Sequence, residues 1–318
     1  MTDSQTAIAH SAIDLIGRTP LVDISLLSQN KGVHLWAKLE AFNPCGSVKD
    51  RPARQMLLDG ISENRLRPGM TILECTSGNT GTALACFGGV LGYPVELVVP
   101  EVTSSTKLTD IKRFGATIRV VPGHTTEHAL EVAYQLSSHE PERYFFTDQY
   151  TNTSNPKAHY LTTGPEILSD CPYVTHFVAA QGSFGTLGGV SRCFRERGAP
   201  VKVFAVVARP GATTIFGMKQ VDDVAPLVDN SVLSGRFIID AAKAMEGIRA
   251  AVALGFQIGP SSGAVLAATM RLTGRLPSGS HVVCLLADGG IKYPASKLYD
   301  LAPPILETDL DHIAFTEW

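Results

Sequence analysis

Four short segments hold the residues whose types and spacing could do chemistry. The first runs Asn43-Pro44-Cys45-Gly46-Ser47-Val48-Lys49-Asp50-Arg51-Pro52. Asn-Pro and Gly-Ser favour a turn and Asp50 onward favours a helix, so Lys49 stands where loop becomes helix. Alone, such a lysine reads as a solvated side chain in a first helical turn. Its position is still informative, because the positive end of the helix dipole disfavours a cation there. A lysine that acts as nucleophile or base needs a depressed pKa, which burial can supply. The second segment is Cys75-Thr76-Ser77-Gly78-Asn79-Thr80-Gly81. Backbone N–H groups at such a helix start can gather round an anion, and the dipole favours it. An ordinary cap explains Thr76 or Ser77, but not two glycines with four polar side chains. The third, Gly182-Ser183-Phe184-Gly185-Thr186, is a glycine-rich turn opening a helix and has the form of a phosphate cradle. It lacks the lysine of a P-loop and the full spacing of a dinucleotide site. The fourth, Gly259-Pro260-Ser261-Ser262-Gly263-Ala264, reads singly as a helix cap.

These segments need strands and helices to position them. Val33–Leu39, Thr71–Glu74, Val95–Val99, Thr117–Val121, Tyr144–Thr147, His176–Ala180, Val201–Val207 and His281–Ala287 are rich in Val, Ile and Phe and read as strands, most of them covered on both faces. Between them Asp50–Asn64, Thr80–Leu91, Ser105–Phe114, Thr126–Ser138, Lys157–Leu168, Leu187–Arg197, Ala241–Leu254 and Ser262–Leu272 read as helices. Strand–helix alternation predicts an α/β fold of parallel sheets with helices on both faces. Open parallel sheets bind ligands at the carboxyl ends of their strands, where the glycine-rich turns fall. The length, 318 residues, accommodates two lobes with a cleft between them.

Composition narrows the function class. A net charge of −3 without a long basic run argues against nucleic acid or an anionic membrane as partner. Cys45, Cys75, Cys86, Cys171, Cys193 and Cys284 are scattered, with no CxxC pair and no metal-ligand spacing, so no metal site is expected and the thiols read as reduced and buried. The first ten residues lack a basic-then-apolar pattern and no apolar run is long enough to cross a bilayer. A cytoplasmic protein is the expectation.

Taken together and in order, the four segments resemble the fold-type-II pyridoxal-phosphate (PLP) enzymes of the cysteine synthase family. The resemblance extends to Ile16-Gly17-Arg18-Thr19-Pro20-Leu21-Val22, to Asp148-Gln149-Tyr150 with Asn155-Pro156, His159 and Thr163-Gly164-Pro165-Glu166, and to Asp288-Gly289-Gly290. It covers the chain from about Ile16 to Tyr293. It implies a two-lobed fold with the active site in the cleft. Residues 43–153 would form the smaller domain, 10–42 with 154–305 the larger cofactor-binding domain, and 306–318 a tail. It implies that Lys49 holds PLP as a Schiff base and then serves as general base. Thr76, Ser77, Gly78 and Thr80 would grip the substrate carboxylate, with Gln149 as a further contact. Asn79 would face the cofactor's 3′-oxygen, Gly182, Ser183, Phe184, Gly185 and Thr186 its phosphate, and Ser261 its ring nitrogen. A serine cannot keep that nitrogen protonated as an aspartate would, which favours prompt loss of a β-leaving group. The implied reaction is β-replacement on O-acetyl- or O-phospho-L-serine by way of an aminoacrylate, with a small nucleophile, giving L-cysteine or a related β-substituted alanine. A homodimer is also implied.

The chain departs from the family pattern in three places. Phe184 stands where relatives usually carry Gly or Thr, and is read either as a ring turned into the core or as a reshaped pocket wall. Arg209, in Val207-Ala208-Arg209-Pro210-Gly211, can be aligned with an arginine of phosphoserine-using members, and would then clamp a phosphate; otherwise it is a surface-loop residue. Thr214-Ile215-Phe216-Gly217 resembles members that join phosphoserine to an amino-acid nucleophile. The tail ending Ala314-Phe315-Thr316-Glu317-Trp318 is expected to be disordered or docked on the surface. A nitrogen nucleophile, elimination alone, or a catalytically silent binding subunit are the alternative functions, and joint retention of Lys49, Asn79 and Ser261 argues against silence.

Overall fold

The computed structural model describes residues 8–103, 105–123, 126–211, 215–220, 225–293 and 314–317. Two sheets carry the site. The larger is built from β1 (Leu21–Asp23), β2 (His34–Leu39), β7 (His176–Ala180), β8 (Lys202–Ala208), β9 (Gly235–Ile239), β10 (His281–Leu286) and β11 (Ala314–Glu317), in the order β1-β2-β10-β7-β8-β9-β11. Its five central strands are parallel, and β1 and β11 close the edges in antiparallel pairing. The smaller sheet is β5-β4-β3-β6, all parallel, from β3 (Thr71–Cys75), β4 (Val95–Pro100), β5 (Thr117–Val121) and β6 (Tyr144–Phe146).

Nine helices are seen among the described residues: α1 (Asp50–Ser62), α2 (Asn79–Val90), α3 (Ser105–Arg113), α4 (Thr126–His139), α5 (Ser154–Leu161), α6 (Thr163–Asp170), α7 (Gly185–Glu196), α8 (Ala241–Ala253) and α9 (Pro260–Thr273). Parallel strands need crossover connections, and the helices cover both sheet faces, so the central strands are mostly apolar on both faces rather than alternating. Phe204, Phe237, Val206 and Val282 pack with α8 and α9 on one face of the larger sheet. Phe177, Val203 and Val283 pack with Leu187, Val190 and Phe194 of α7 on the other. The helices α8 and α9 touch backbone to backbone: a Cβ on Gly247 would lie 2.0 Å from the Gly263 carbonyl oxygen.

The structure differs from the sequence reading in particular elements. The single helix expected over Lys157–Leu168 is two helices, broken at Thr162 (φ −125°, ψ −69°), where the following Gly164-Pro165 suits a fresh first turn and Pro165 supplies no N–H to continue α5. The strand β9 was not foreseen, because Gly235-Arg236 leaves a short apolar run before Asp240 caps α8. In the tail, residues 314–317 add β11 to the edge of the larger sheet against β9. The rest of the 306–318 tail, and Thr214, lie outside the described residues.

Candidate active site

The strands β3, β7 and β10 end on one side of the molecule, and their ends meet the N-termini of α1, α2, α7 and α9 around a cavity of about 530 Å³. Lys49, Thr76, Ser77, Gly78, Asn79, Thr80, Gln149, Gly182, Ser183, Phe184, Gly185, Thr186 and Ser261 all line it. Arg209 does not: it is exposed beyond the end of β8, where its N–H donates to the Ile239 carbonyl at 2.8 Å. A more open hollow of about 690 Å³ between Arg18, Trp36 and Asp170 contains none of these residues.

The loop before Lys49 hangs on the end of β10. Val48 N–H donates to the Ala287 carbonyl at 2.8 Å, and Ser47 pairs with Asp288. Two residues after Lys49, Arg51 is buried and holds two carboxylates in bidentate fashion. Its Nε and Nη2 donate to Glu40 at 2.7 and 2.8 Å, and Nη1 and Nη2 donate to Glu166 at 2.7 and 2.8 Å. Buried Lys38 completes the cluster, 3.0 Å from Glu166. Burial opposes ionisation of Glu166, but Arg51 and Lys38 more than offset it and hold the carboxyl down at about 2. This network ties β2, α1 and α6 together and fixes the first turn of α1, hence the Lys49 backbone. The Lys49 side chain is half-buried in the cleft wall, and burial lowers its amine below the ordinary lysine value, with the Asp288 carboxylate opposing. A lysine so placed is closer to a neutral nucleophile or base than a surface lysine.

The Thr76–Thr80 turn runs from β3 into α2. Thr80 Oγ1 donates to Gln149 Oε1 at 2.8 Å, which fixes the Gln149 amide with its nitrogen free to donate elsewhere. The Gln149 backbone N–H donates to Glu74 Oε2 at 3.1 Å, and Thr147 Oγ1 donates to the same oxygen at 2.7 Å. Full burial raises Glu74 to about 7, against the pull of these donors. Gly78 has open space where a Cβ would stand, so the turn presents backbone to the cleft.

The third turn follows β7 and opens α7. Asn155 lies beneath it, donating from Nδ2 to the Gln149 carbonyl at 2.7 Å and to Ser183 Oγ at 2.9 Å. A Cβ on Gly185 would stand 1.9 Å from Asn155 Oδ1, so only glycine admits this approach. Thr186 Oγ1 lies 3.3 Å from His159 Nε2, and His159 Nδ1 lies 2.9 Å from Thr163 Oγ1. Burial, with Arg51 and Lys49 nearby, pushes His159 well below its usual pKa, so it serves this loop as a neutral ring. Phe184 takes the left-handed conformation (φ 71°), and its side chain is buried, 2% exposed, among Leu187, Val190 and Phe194. The ring is therefore part of the core, while the N–H groups of the turn remain at the cleft.

At the fourth turn Ser261 is buried in the first turn of α9 and lines the cleft. Asp288, Lys292, Lys219 and Tyr293 also line it. Sequence reasoning gave these four no role; Asp288-Gly289-Gly290 stood out only as a matching segment, and nothing local marked the others. Lys219 Nζ lies 5.4 Å from the centre of the Tyr150 ring. Asp288 Oδ2 accepts from Asn79 Nδ2 at 2.7 Å and from the Tyr293 hydroxyl at 2.6 Å.

These residues fit pyridoxal phosphate. The group needs an amine with a lowered pKa, an anion cradle free of bulky side chains, and polar partners for its ring substituents; Lys49, the α7 turn, and Asn79 with Ser261 meet those needs. A Cβ on Gly182 would stand 2.9 Å from the Gly217 carbonyl oxygen, so the cradle is shaped for glycine. Asp288 Oδ1 and Gln181 Oε1 are buried without a hydrogen-bond partner among the described residues.

Comparison with known proteins agrees with this fit. Residues 12–288 match the family described as "Pyridoxal-phosphate dependent enzyme". The chain is 36% identical to a cysteine synthase of Aquifex aeolicus over 301 residues, 91% of this chain and 92% of that one. It is 33% identical to the O-ureido-L-serine synthase of Streptomyces lavendulae, over 92% of this chain and 93% of the relative. The crystal structure of O-acetyl serine sulfhydrylase isoform 3 from Entamoeba histolytica superposes with a TM-score of 0.89 at 32% identity, covering 95% of both chains. With a lysine at the base of a cleft ringed by helix N-termini and likeness along nearly its whole length, this chain belongs to the pyridoxal-phosphate-dependent enzymes, in the cysteine synthase family.

Proposed function

We propose that the protein replaces the β-substituent of an O-activated L-serine, O-acetyl- or O-phospho-L-serine, with a small nucleophile, sulfur first among the candidates, giving L-cysteine or a related β-substituted alanine. The observation that carries this reading is the placement of Lys49: an amine of lowered pKa at one point where the N-termini of α2, α7 and α9 meet. When bound, pyridoxal phosphate supplies the carbonyl that captures the amino acid and the ring that takes up negative charge from its Cα. The α7 turn, Gly182 to Thr186, holds the phosphate through backbone N–H groups and the helix dipole, without a buried cation. The Thr76–Thr80 turn and the Gln149 amide hold the substrate carboxylate in the same way at α2. That grip fixes Cα against Lys49 Nζ, which removes the Cα proton as general base and returns it at the end of the cycle. Ser261 offers the ring nitrogen a neutral hydroxyl, which favours expulsion of the β-group over a long-lived carbanion. Likeness to both a cysteine synthase and an O-ureido-L-serine synthase supports the β-replacement class while spanning different products. The reading includes a homodimer, which rests on the family resemblance and is checked by the mass in solution, and a cytoplasmic location, which rests on the scattered cysteines without disulfide spacing.

The test is a donor screen. PLP-loaded protein is mixed with O-acetyl-L-serine and separately with O-phospho-L-serine, the visible spectrum is followed, and the product is trapped with sulfide, thiosulfate or amino acids. One donor is expected to change the spectrum, with reversal by the true nucleophile. No spectral change with either donor refutes the proposal.

A further inference from the structure

Asp288 stands two residues beyond β10, and its carboxyl group is wedged against the start of α9. A Cβ on Gly259 would stand 2.1 Å from Asp288 Oδ1, and the Gly259 N–H donates to the Asp288 carbonyl at 3.1 Å. On the other side Ser47, two residues before Lys49, pairs with its backbone. The carboxylate has little room to move. Its Oδ2 accepts from Asn79 Nδ2 at 2.7 Å and from the Tyr293 hydroxyl at 2.6 Å. At the other end of the same amide, Lys292 Nζ donates to Asn79 Oδ1 at 2.8 Å.

This arrangement removes an ambiguity. A side-chain amide has two nearly isosteric ends, and a single neighbour that both donates and accepts leaves either orientation open. A carboxylate oxygen accepts and an ammonium only donates. The two partners, one on each end, therefore demand the same orientation: nitrogen toward Asp288, oxygen toward Lys292. An amide nitrogen carries two N–H groups and Asp288 takes one. Asn79 is the first residue of α2 and lines the cleft, so its second N–H is the donor offered to a bound group.

We infer that Asp288 and Lys292 are positioning residues that lock the Asn79 amide so that an N–H, not its carbonyl, meets the cofactor's 3′-oxygen. The inference rests on the proposed placement of Asn79 beside the cofactor. A reversed amide would set a carbonyl oxygen against that electron-rich oxygen and exchange an attraction for a repulsion. Lys292 is the member to change, since it is only partly buried and its removal leaves the core intact.

The experiment measures the PLP dissociation constant and the visible absorbance band of K292M, K292R, N79A and K292M/N79A holoenzymes. The K292M variant is expected to bind PLP on the order of tenfold more weakly with a displaced band, and K292R to retain most of the wild-type behaviour. In the N79A background K292M should add nothing, because there is no amide left to orient. Additive losses in K292M/N79A overturn the lock, since Lys292 would then act independently of Asn79. An N79A protein with wild-type affinity and spectrum overturns the underlying placement of Asn79, and the lock with it.

Discussion

Replacing Phe184 sets two local effects of opposite sign against each other. The residue is left-handed, at φ 71°, where a side chain costs about 1 kcal/mol or more relative to glycine. The same side chain is 2% exposed and packs against Leu187, Val190 and Phe194, with its ring within 3.3 Å of where a Cβ on Gly188 would stand. Deleting a buried phenylalanine to alanine costs about 3–5 kcal/mol. Phe184→Ala keeps the backbone strain and loses the packing, so it should destabilise the protein by roughly 3–5 kcal/mol. Phe184→Gly loses the same packing but relieves the strain, so it should be about 1 kcal/mol more stable than Phe184→Ala, at roughly 2–4 kcal/mol below wild type. Glycine is usually the more destabilising of the two in regular structure, so the reversed order is diagnostic. Denaturant midpoints of the PLP-free proteins keep cofactor binding out of the comparison. PLP affinity should change by less than about threefold in either variant, because the cradle donates through backbone N–H groups rather than the ring. Wild-type stability with lost cofactor affinity would place the ring in the pocket wall and refute this account.

Two further outcomes follow from the ion network and from the exposed arginine. Glu166 is held at about 2 in the folded protein against an ordinary value of 4.5, so its ionised form contributes stability that is present above about pH 4.5 and lost as pH falls toward 2. The shift corresponds to about 3 kcal/mol, and Glu166→Gln should lose about that much at pH 7 in denaturant titrations, the gap to wild type closing as pH falls through this window; a gap independent of pH would refute the assignment. Arg209→Ala should leave kcat/KM for O-acetyl-L-serine and O-phospho-L-serine each within about twofold of wild type, because the residue stands exposed outside the cleft; a selective loss with O-phospho-L-serine would return Arg209 to the site.

The alternation of strands and helices, and the four turns that open helices, were readable from residue order alone. Turn chemistry and helix starts are local: Gly182-Ser183-Phe184-Gly185 or Thr76-Ser77-Gly78-Asn79 carries its geometry within a few residues. The break at Thr162 and the strand β9 were harder, because Pro165 interrupts an otherwise helical pattern and only packing decides whether a short Phe-Ile-Ile run pairs beside β8.

What the sequence determined by itself was the kind of site: a lysine at a helix start, with backbone cradles for two anions. The tertiary structure decided which side chains face one another. Lys49 has its lowered pKa because the surrounding elements bury it, against the opposing charge of the Asp288 carboxylate that follows β10. Asn79 meets Asp288 and Lys292 across 209 and 213 residues, and Arg51 meets Glu166 across 115. Arg209, which can be aligned with an arginine of phosphoserine-using members, is turned to solvent. Backbone conformation follows from near neighbours along the chain, whereas burial and charge pairing arise only when distant segments pack, so no spacing in the sequence records them.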